Sequence, residues 1–193
     1  MKKFISLTLA LILLGISVFA FSSCGEHKLH TVEMSLKGYG KVTMVLDQTV
    51  APITVKNFLK LVKSGHFDGL SMIRLQKGFV AQLGGGEGAE TIKGEFESNG
   101  VKNDLKHTKG VISMARTRDP NSASDQFFIM LTDYSGLDGE YAAFGWVASG
   151  MDVIESIAAQ ITYDHYTEDY NGYYMGFLKE EYQPIIEYIK VVE

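Results

Sequence analysis

The sequence predicts a mainly β protein: a closed antiparallel β-barrel plugged at its ends by two α-helices. Apolar residues alternate with polar ones in short runs punctuated by glycine, and only two segments carry the period of a helix. Size agrees, because 193 residues, 46% of them apolar, with a formal net charge of −5, suit one domain with a substantial core. No internal repeat, low-complexity tract or second-domain boundary interrupts the chain.

The amino terminus reads as a processing signal. Lys2 and Lys3 form a basic region, and residues 4–21 are almost continuously apolar. That stretch is long enough to cross a bilayer, but it ends in Phe21-Ser22-Ser23-Cys24-Gly25, where small residues lead into the only cysteine. A lone cysteine forms no internal disulfide, and its setting resembles the lipobox of bacterial lipoproteins, in which the thiol is acylated and becomes the new amino terminus. Phe21 stands where most lipoboxes carry leucine. On this reading residues 1–23 are a lipoprotein-type signal peptide, 24–31 a tether and 32–193 the folded domain. The expected location is extracytoplasmic, periplasmic or at the cell surface, with membrane attachment through lipid at Cys24. An ordinary secretory signal and an uncleaved anchor are the competing readings.

Residues 30–36 and 40–46 place Val32, Met34 and Leu36, then Val42, Met44 and Leu46, at every second position, with Gly38-Tyr39-Gly40 between them. This is an opening hairpin with one buried face. The period then changes: Val55, Phe58, Leu59 and Val62 fall at i, i+3, i+4 and i+7. Thr54 stands where an N-cap belongs, Pro52 precedes it and Gly65 closes the run, which predicts a helix of about three turns. A second helix, over about residues 151–159, puts Ile154, Ile157 and Ala158 on one face and Asp152 in its first turn, where negative charge is favourable. Apolar runs at 78–82, 110–114, 127–131, 142–147 and 185–192 supply further strands.

Several functions are disfavoured. Losing Lys2 and Lys3 with the signal makes an already acidic chain more so, which repels phosphates and argues against nucleic acid. His27, His30, His66, His107 and His165 are scattered without partners at metal-ligand intervals, so no metal site is expected. Gly84-Gly85-Gly86-Glu87-Gly88 lacks the Lys-Ser/Thr of a phosphate loop and opens no helix, and it reads as a flexible turn.

The chemistry lies in Gly78-Phe79-Val80-Ala81-Gln82 and Ser124-Asp125-Gln126-Phe127-Phe128-Ile129. Each sets a glutamine beside aromatic and aliphatic side chains, the means to grip an apolar ring while hydrogen-bonding a backbone, as holding a proline requires. Arg74 stands upstream, and Gly110-Val111-Ile112-Ser113-Met114-Ala115-Arg116-Thr117 lies between. A lone Phe-Val pair in a strand is ordinary core filler and a lone arginine an ordinary surface residue; the joint order and spacing carry the reading. Together these residues resemble the cyclophilin family of peptidyl-prolyl cis/trans isomerases, over about residues 32–192.

The resemblance implies eight strands with the two helices, isomerase activity on proline-containing polypeptides, a monomer and no cofactor. An X-Pro amide rotates slowly, over a barrier of about 18–20 kcal/mol, because the nitrogen lone pair is delocalised into the carbonyl. In the twisted state that nitrogen becomes pyramidal and can accept a hydrogen bond, so a donor placed over it binds the transition state preferentially. Arg74 is the candidate donor, since a guanidinium stays charged and offers several donors in one plane. By resemblance, Gln82 positions the guanidinium and contacts the peptide, Phe79, Val80, Phe128 and Leu137 line the proline pocket, and Ala115 and Arg116 form the edge that hydrogen-bonds the substrate backbone. Gln126 lies at the rim, and Tyr141 stands where many members carry histidine.

The chain departs from the family pattern at Met72-Ile73-Arg74, where the signature reads Phe-His-Arg, and at Gln82-Leu83-Gly84, where it reads Gln-Gly-Gly or Gln-Ala-Gly. Gly136 occupies a mouth position often held by tryptophan or phenylalanine, and Trp146 lies elsewhere and reads as packing. With the export signal, the function expected is X-Pro isomerisation assisting the folding of exported polypeptides. The alternative is a weakly catalytic proline-peptide-binding or chaperone module on the same fold, and a rival of another class is a barrel lipoprotein carrying a small apolar ligand. Residues 163–182 carry six tyrosines beside five acidic residues, in a connection usually about half as long. They read as a packed, solvated excursion, with a partner or substrate surface as the sharper alternative.

Overall fold

The computed structural model describes residues 27–167 and 175–192. The apolar amino-terminal segment, Cys24 and the middle of the tyrosine-rich excursion lie outside the described residues, so the signal-peptide and lipid-attachment readings do too. Among the described residues no helix is long and apolar enough to cross a membrane.

The opening hairpin forms from β1 (Leu29–Leu36) and β2 (Gly40–Asp47), paired in register Val32↔Met44 and Met34↔Val42. All six alternating apolar residues turn into the core. β1 starts before residue 32, and Lys28 already exchanges hydrogen bonds with Gln48 and Thr49. Residues 29–31, expected as the end of a tether, are instead strand.

Helix α1 (Pro52–Lys63) buries Val55, Phe58, Leu59 and Val62 as its periodicity requires, and Gly65, in the left-handed region at φ +69°, ends it. Its start differs from expectation. The N-cap position is Ala51, Pro52 opens the first turn and Thr54 lies inside the helix. The capping acceptor comes from far away in sequence: the Glu95 carboxylate, 1% exposed, accepts from the Ile53 N–H (2.9 Å), the Thr54 N–H (2.7 Å) and the Thr54 hydroxyl (2.7 Å). A buried anion thus satisfies the unpaired donors at the positive end of the helix.

The remaining elements are β3 (Met72–Gln76), β4 (Val80–Leu83), β5 (Val111–Met114), β6 (Phe127–Met130), β7 (Ala143–Ser149), α2 (Met151–Gln160) and β8 (Ile186–Val192). The eight strands form one antiparallel, curled sheet in the order β3-β4-β6-β5-β7-β2-β1-β8. Closure differs in kind from a continuous barrel, since β3 and β8 share no ladder. The chain just before each strand meets instead at an isolated bridge, Ser71↔Ile185, flanked by Ile186 N–H to Leu70 O and Met72 N–H to Pro184 O, both 2.8 Å.

Inside the curl, Phe58 of α1 packs against Phe67, Phe127 and Phe144, with ring centroids 4.9–5.3 Å apart, and α2 adds Ile154 and Ile157. A second, smaller apolar cluster forms on the outer face of the sheet from Val80, Val111, Phe128, Met130 and Ala143. Strand alternation makes both clusters at once: Phe127 points inward and Phe128 outward.

Candidate active site

Val80 and Phe128 of the outer cluster form the floor of a groove of about 340 Å³. The ten residues singled out in the sequence, Arg74, Phe79, Val80, Gln82, Ala115, Arg116, Gln126, Phe128, Leu137 and Tyr141, all line it. Strand register brings them together, since Arg74 stands opposite Gln82 across β3 and β4, and Gln82 opposite Phe128 across β4 and β6. Between Met72 and Arg74 the pairing slips by one residue, so Ile73 forms a β-bulge. A bulge re-aims the side chain beside it, and here that side chain is Arg74.

The Arg74 guanidinium sits between two aromatic rings, 5.9 Å from the centroid of Phe79 and 5.8 Å from that of Phe177. Its Nε–H donates to the Met175 carbonyl at 2.8 Å and one terminal nitrogen donates to the Gln76 side chain. Burial draws its pKa below the ordinary arginine value, opposed by the Tyr141 phenol, yet a guanidinium so placed remains charged. Among the described residues two of its five N–H donors are occupied, leaving three for other partners.

Gln82 does not hold the guanidinium, contrary to expectation. Its amide N–H donates to Gln126 Oε1 at 2.8 Å, and the two amides line one edge of the groove. Arg116 is likewise engaged within the chain. Nε and one terminal nitrogen donate to the Glu140 carbonyl at 3.0 and 2.8 Å, the other terminal nitrogen donates to Thr117 O at 2.9 Å, and the guanidinium lies 4.6 Å from the Tyr141 ring and 5.0 Å from that of Phe96. Its side chain braces Tyr141 beside the groove.

Under the floor runs a hydrogen-bonded chain. His107, 2% exposed, stacks on Phe128 at 6.1 Å, bonds Ser113 Oγ through Nε2 and Asp138 Oδ1 through Nδ1, each at 3.0 Å. Tyr141 meets the other side of Phe128 edge-on at 5.9 Å. Desolvation holds the His107 pKa below its ordinary value, partly opposed by Asp138. Ser113 is fully buried, so this Ser-His-Asp series supports the floor rather than meeting a substrate.

The glycine-rich segment is not a loose turn. The N–H groups of Gly85 and Gly86 donate to Asp125 Oδ2 at 3.1 and 2.7 Å, and His66 Nε2 contacts the same oxygen at 2.9 Å. The donors that could cradle a phosphate are thus already taken by a carboxylate. At Gly84, φ +95°, a Cβ would lie 2.7 Å from the Asp125 carbonyl oxygen, so this close approach of two strands needs glycine.

Four lining residues were not anticipated: Thr117, Ser122, Ser124 and Phe177. The first three are small polar residues of the loop between β5 and β6, without periodicity to mark them. Phe177 comes from the excursion, where the signal lay in its length rather than in that residue. Gly136 leaves no gap either. The Tyr134 ring occupies the space beside it, 2.7 Å from where a Cβ would stand, and packs edge-on against Phe79 at 5.2 Å. Trp146 pairs with Val45 and Val111 in the sheet and does not line the groove.

The fold and site together are those of a curled antiparallel sheet that carries, on its outer face, a groove lined by apolar rings, two amides and a guanidinium. Comparison with known proteins specifies the class. Residues 31–171 match the family described as cyclophilin type peptidyl-prolyl cis-trans isomerase/CLD, and the chain belongs to this family of isomerases. It is 36% identical over 159 residues to peptidyl-prolyl cis-trans isomerase A of Dickeya dadantii, covering 78% of this chain and 83% of the relative. It is also 36% identical over 142 residues to a peptidyl-prolyl cis-trans isomerase of Acinetobacter baylyi, covering 68% and 74%. A cyclophilin-type isomerase of Cryptosporidium parvum, solved in the presence of the dipeptide Ala-Pro, superposes with a TM-score of 0.64 at 25% identity, covering 84% of this chain and 99% of that one. A cyclophilin of Hirschia baltica gives 0.66 at 25% identity, covering 84% and 74%.

Proposed function

We propose that this isomerase acts on X-Pro bonds of exported polypeptides and assists their folding, from a position tethered outside the cytoplasm by lipid on Cys24. The observation that carries the catalytic part is the Arg74 guanidinium, fixed above an apolar floor with donors to spare. In this reading the proline ring settles among Phe79, Val80, Phe128 and Leu137, the Gln82 and Gln126 amides and the backbone at Ala115 and Arg116 hold the peptide, and the preceding carbonyl swings. Arg74 donates to the imide nitrogen only as it becomes pyramidal, which lowers the barrier without stabilising either planar isomer. Lys2, Lys3, the apolar stretch that follows and the setting of Cys24 support the export half.

The test is isomerisation of a short X-Pro peptide, followed by NMR exchange or a protease-coupled assay. Arg74→Ala should lower kcat/KM by about two orders of magnitude or more, because one preorganised donor typically contributes roughly 3–4 kcal/mol to the transition state. Its thermal midpoint should barely change. A folded variant that keeps more than about a third of wild-type activity removes Arg74 from the mechanism, and peptide binding without turnover by the wild type would point to the binding-module alternative. Intact mass of the protein from membranes tests the anchor: a mature chain starting at Cys24 with added acyl mass is expected, and a chain starting before it or lacking lipid overturns that half.

A further inference from the structure

We propose that Phe177 is a specificity-determining wall of the groove, selecting peptides with a large apolar or aromatic side chain beside the proline. This inference rests on the isomerase reading and extends it to the substrate sequence. The excursion after α2 returns to the barrel as an added strand along the open edge of β3. Leu75 N–H donates to Gly176 O at 2.7 Å, Leu178 N–H donates to Ile73 O at 3.0 Å, and Arg74 and Phe177 form the bridge between them. On its far side the same segment is held by the other arm of the excursion, through Thr167 N–H to Phe177 O and Lys179 N–H to His165 O, both 2.9 Å.

Phe177 is therefore the middle residue of a strand fixed on both edges. Two neighbours show how tightly it is set. Leu178 is 2% exposed and anchors the segment in the main core. Gly176, φ +82°, runs so close to Gln76 that a Cβ would lie 3.0–3.2 Å from its backbone and side chain, so the strand passes only as glycine. Alternation then turns Phe177 outward, where the residue is 44% exposed, its ring lies over the Arg74 guanidinium and it lines the groove.

Anchoring is done by Leu178, so the Phe177 ring is not needed for the core. A large apolar surface held in water at the rim of an apolar groove gains most when a ligand covers it. The ring stands beside the group placed over the imide nitrogen, which puts it next to a residue flanking the proline rather than at the proline itself. The matching substrate feature is a side chain that can pack against an aromatic face.

The experiment uses the full-length protein and peptides Gly-Xaa-Pro-Zaa-Gly, with Xaa and then Zaa varied over Ala, Leu and Phe, isomerisation being followed by NMR exchange. At one flanking position the wild type should favour Phe or Leu over Ala by about ten-fold in kcat/KM, the scale of one good aromatic contact. Phe177→Ala should erase that preference by raising KM for the Phe and Leu peptides about ten-fold more than for the Ala peptides. Phe177→Leu, which keeps an apolar side chain on the strand, should retain part of the preference and guards against loss of fold in the alanine variant. Absence of any preference in an active wild type, or a Phe177→Ala variant that slows every peptide by the same factor, overturns the inference and leaves the isomerase reading standing. A wild type inactive on all peptides overturns both.

Discussion

At the scale of single residues, the mouth of the groove shows how a missing side chain is replaced from elsewhere. Many cyclophilins bind the cyclic peptide cyclosporin here, with an aromatic residue where this chain has Gly136. Tyr134 fills the adjoining space but offers its ring to Phe79 instead, and a larger residue at 136 would have to displace it. The wild type should therefore bind the drug weakly, since a buried aromatic anchor is often worth about 2 kcal/mol or more, roughly 30-fold in affinity. Gly136→Trp alone should recover little, whereas Gly136→Trp combined with Tyr134→Ala should recover much more; calorimetric titration of the three proteins checks this, and nanomolar binding by the wild type would contradict it. Much of the site was legible at this scale because a groove lined from paired strands repeats in register: Phe79, Gln82, Gln126 and Phe128 sit in short apolar runs whose spacing survives in sequence. The partners of Arg74 were not legible. They are a carbonyl about a hundred positions away and a glutamine two positions on, and neither a backbone acceptor nor a bulge leaves a mark on residue type.

At the scale of elements, the opening hairpin followed from periodicity and both helices from periodicity with signals at their ends, while β3 did not show as a strand. Its bulge at Ile73 and the polar Arg74 and Gln76 break the alternation that reveals β1 and β2. The start of α1 was misplaced for a related reason. Thr54 has the chemistry of an N-cap, but Glu95 supplies the acceptor and the helix begins three residues earlier, at Pro52. A distant cap of this kind makes a sharp prediction. Glu95→Ala leaves the buried Thr54 N–H and hydroxyl and the part-buried Ile53 N–H without their acceptor, and it should cost about 2–3 kcal/mol of stability in urea unfolding. Thr54→Val, which removes only the hydroxyl, should cost about 1 kcal/mol. Equal losses for the two variants would show that the carboxylate does not act as the cap.

At the scale of the whole molecule, the buried His107 makes stability depend on pH. Unfolded, it titrates near pH 6.5; folded, burial holds its pKa lower. Between the two values the unfolded chain binds the extra proton, so the contribution is complete above about pH 6.5 and is lost as pH falls through the folded value. Asp138, held below its usual pKa by the hydrogen bonds from His107 despite partial burial, adds a loss in the same direction at lower pH. Urea midpoints measured from pH 8 down to 4 should be flat and then decline, and His107→Gln should flatten the first part of the decline; an unchanged slope would assign it to other groups. Strand order has a geometric consequence for where such a molecule faces. With the seam at Ser71 and Ile185 closed, β6 lies four strands from β1 in either direction around the ring, so the two are diametrically opposed. β1 is the strand by which the chain enters the barrel, and β8 brings Val192 back beside Thr31. If the amino terminus is the point of attachment, both ends of the fold turn toward the bilayer and Phe128 turns away from it, leaving the groove open to chains that arrive from the far side.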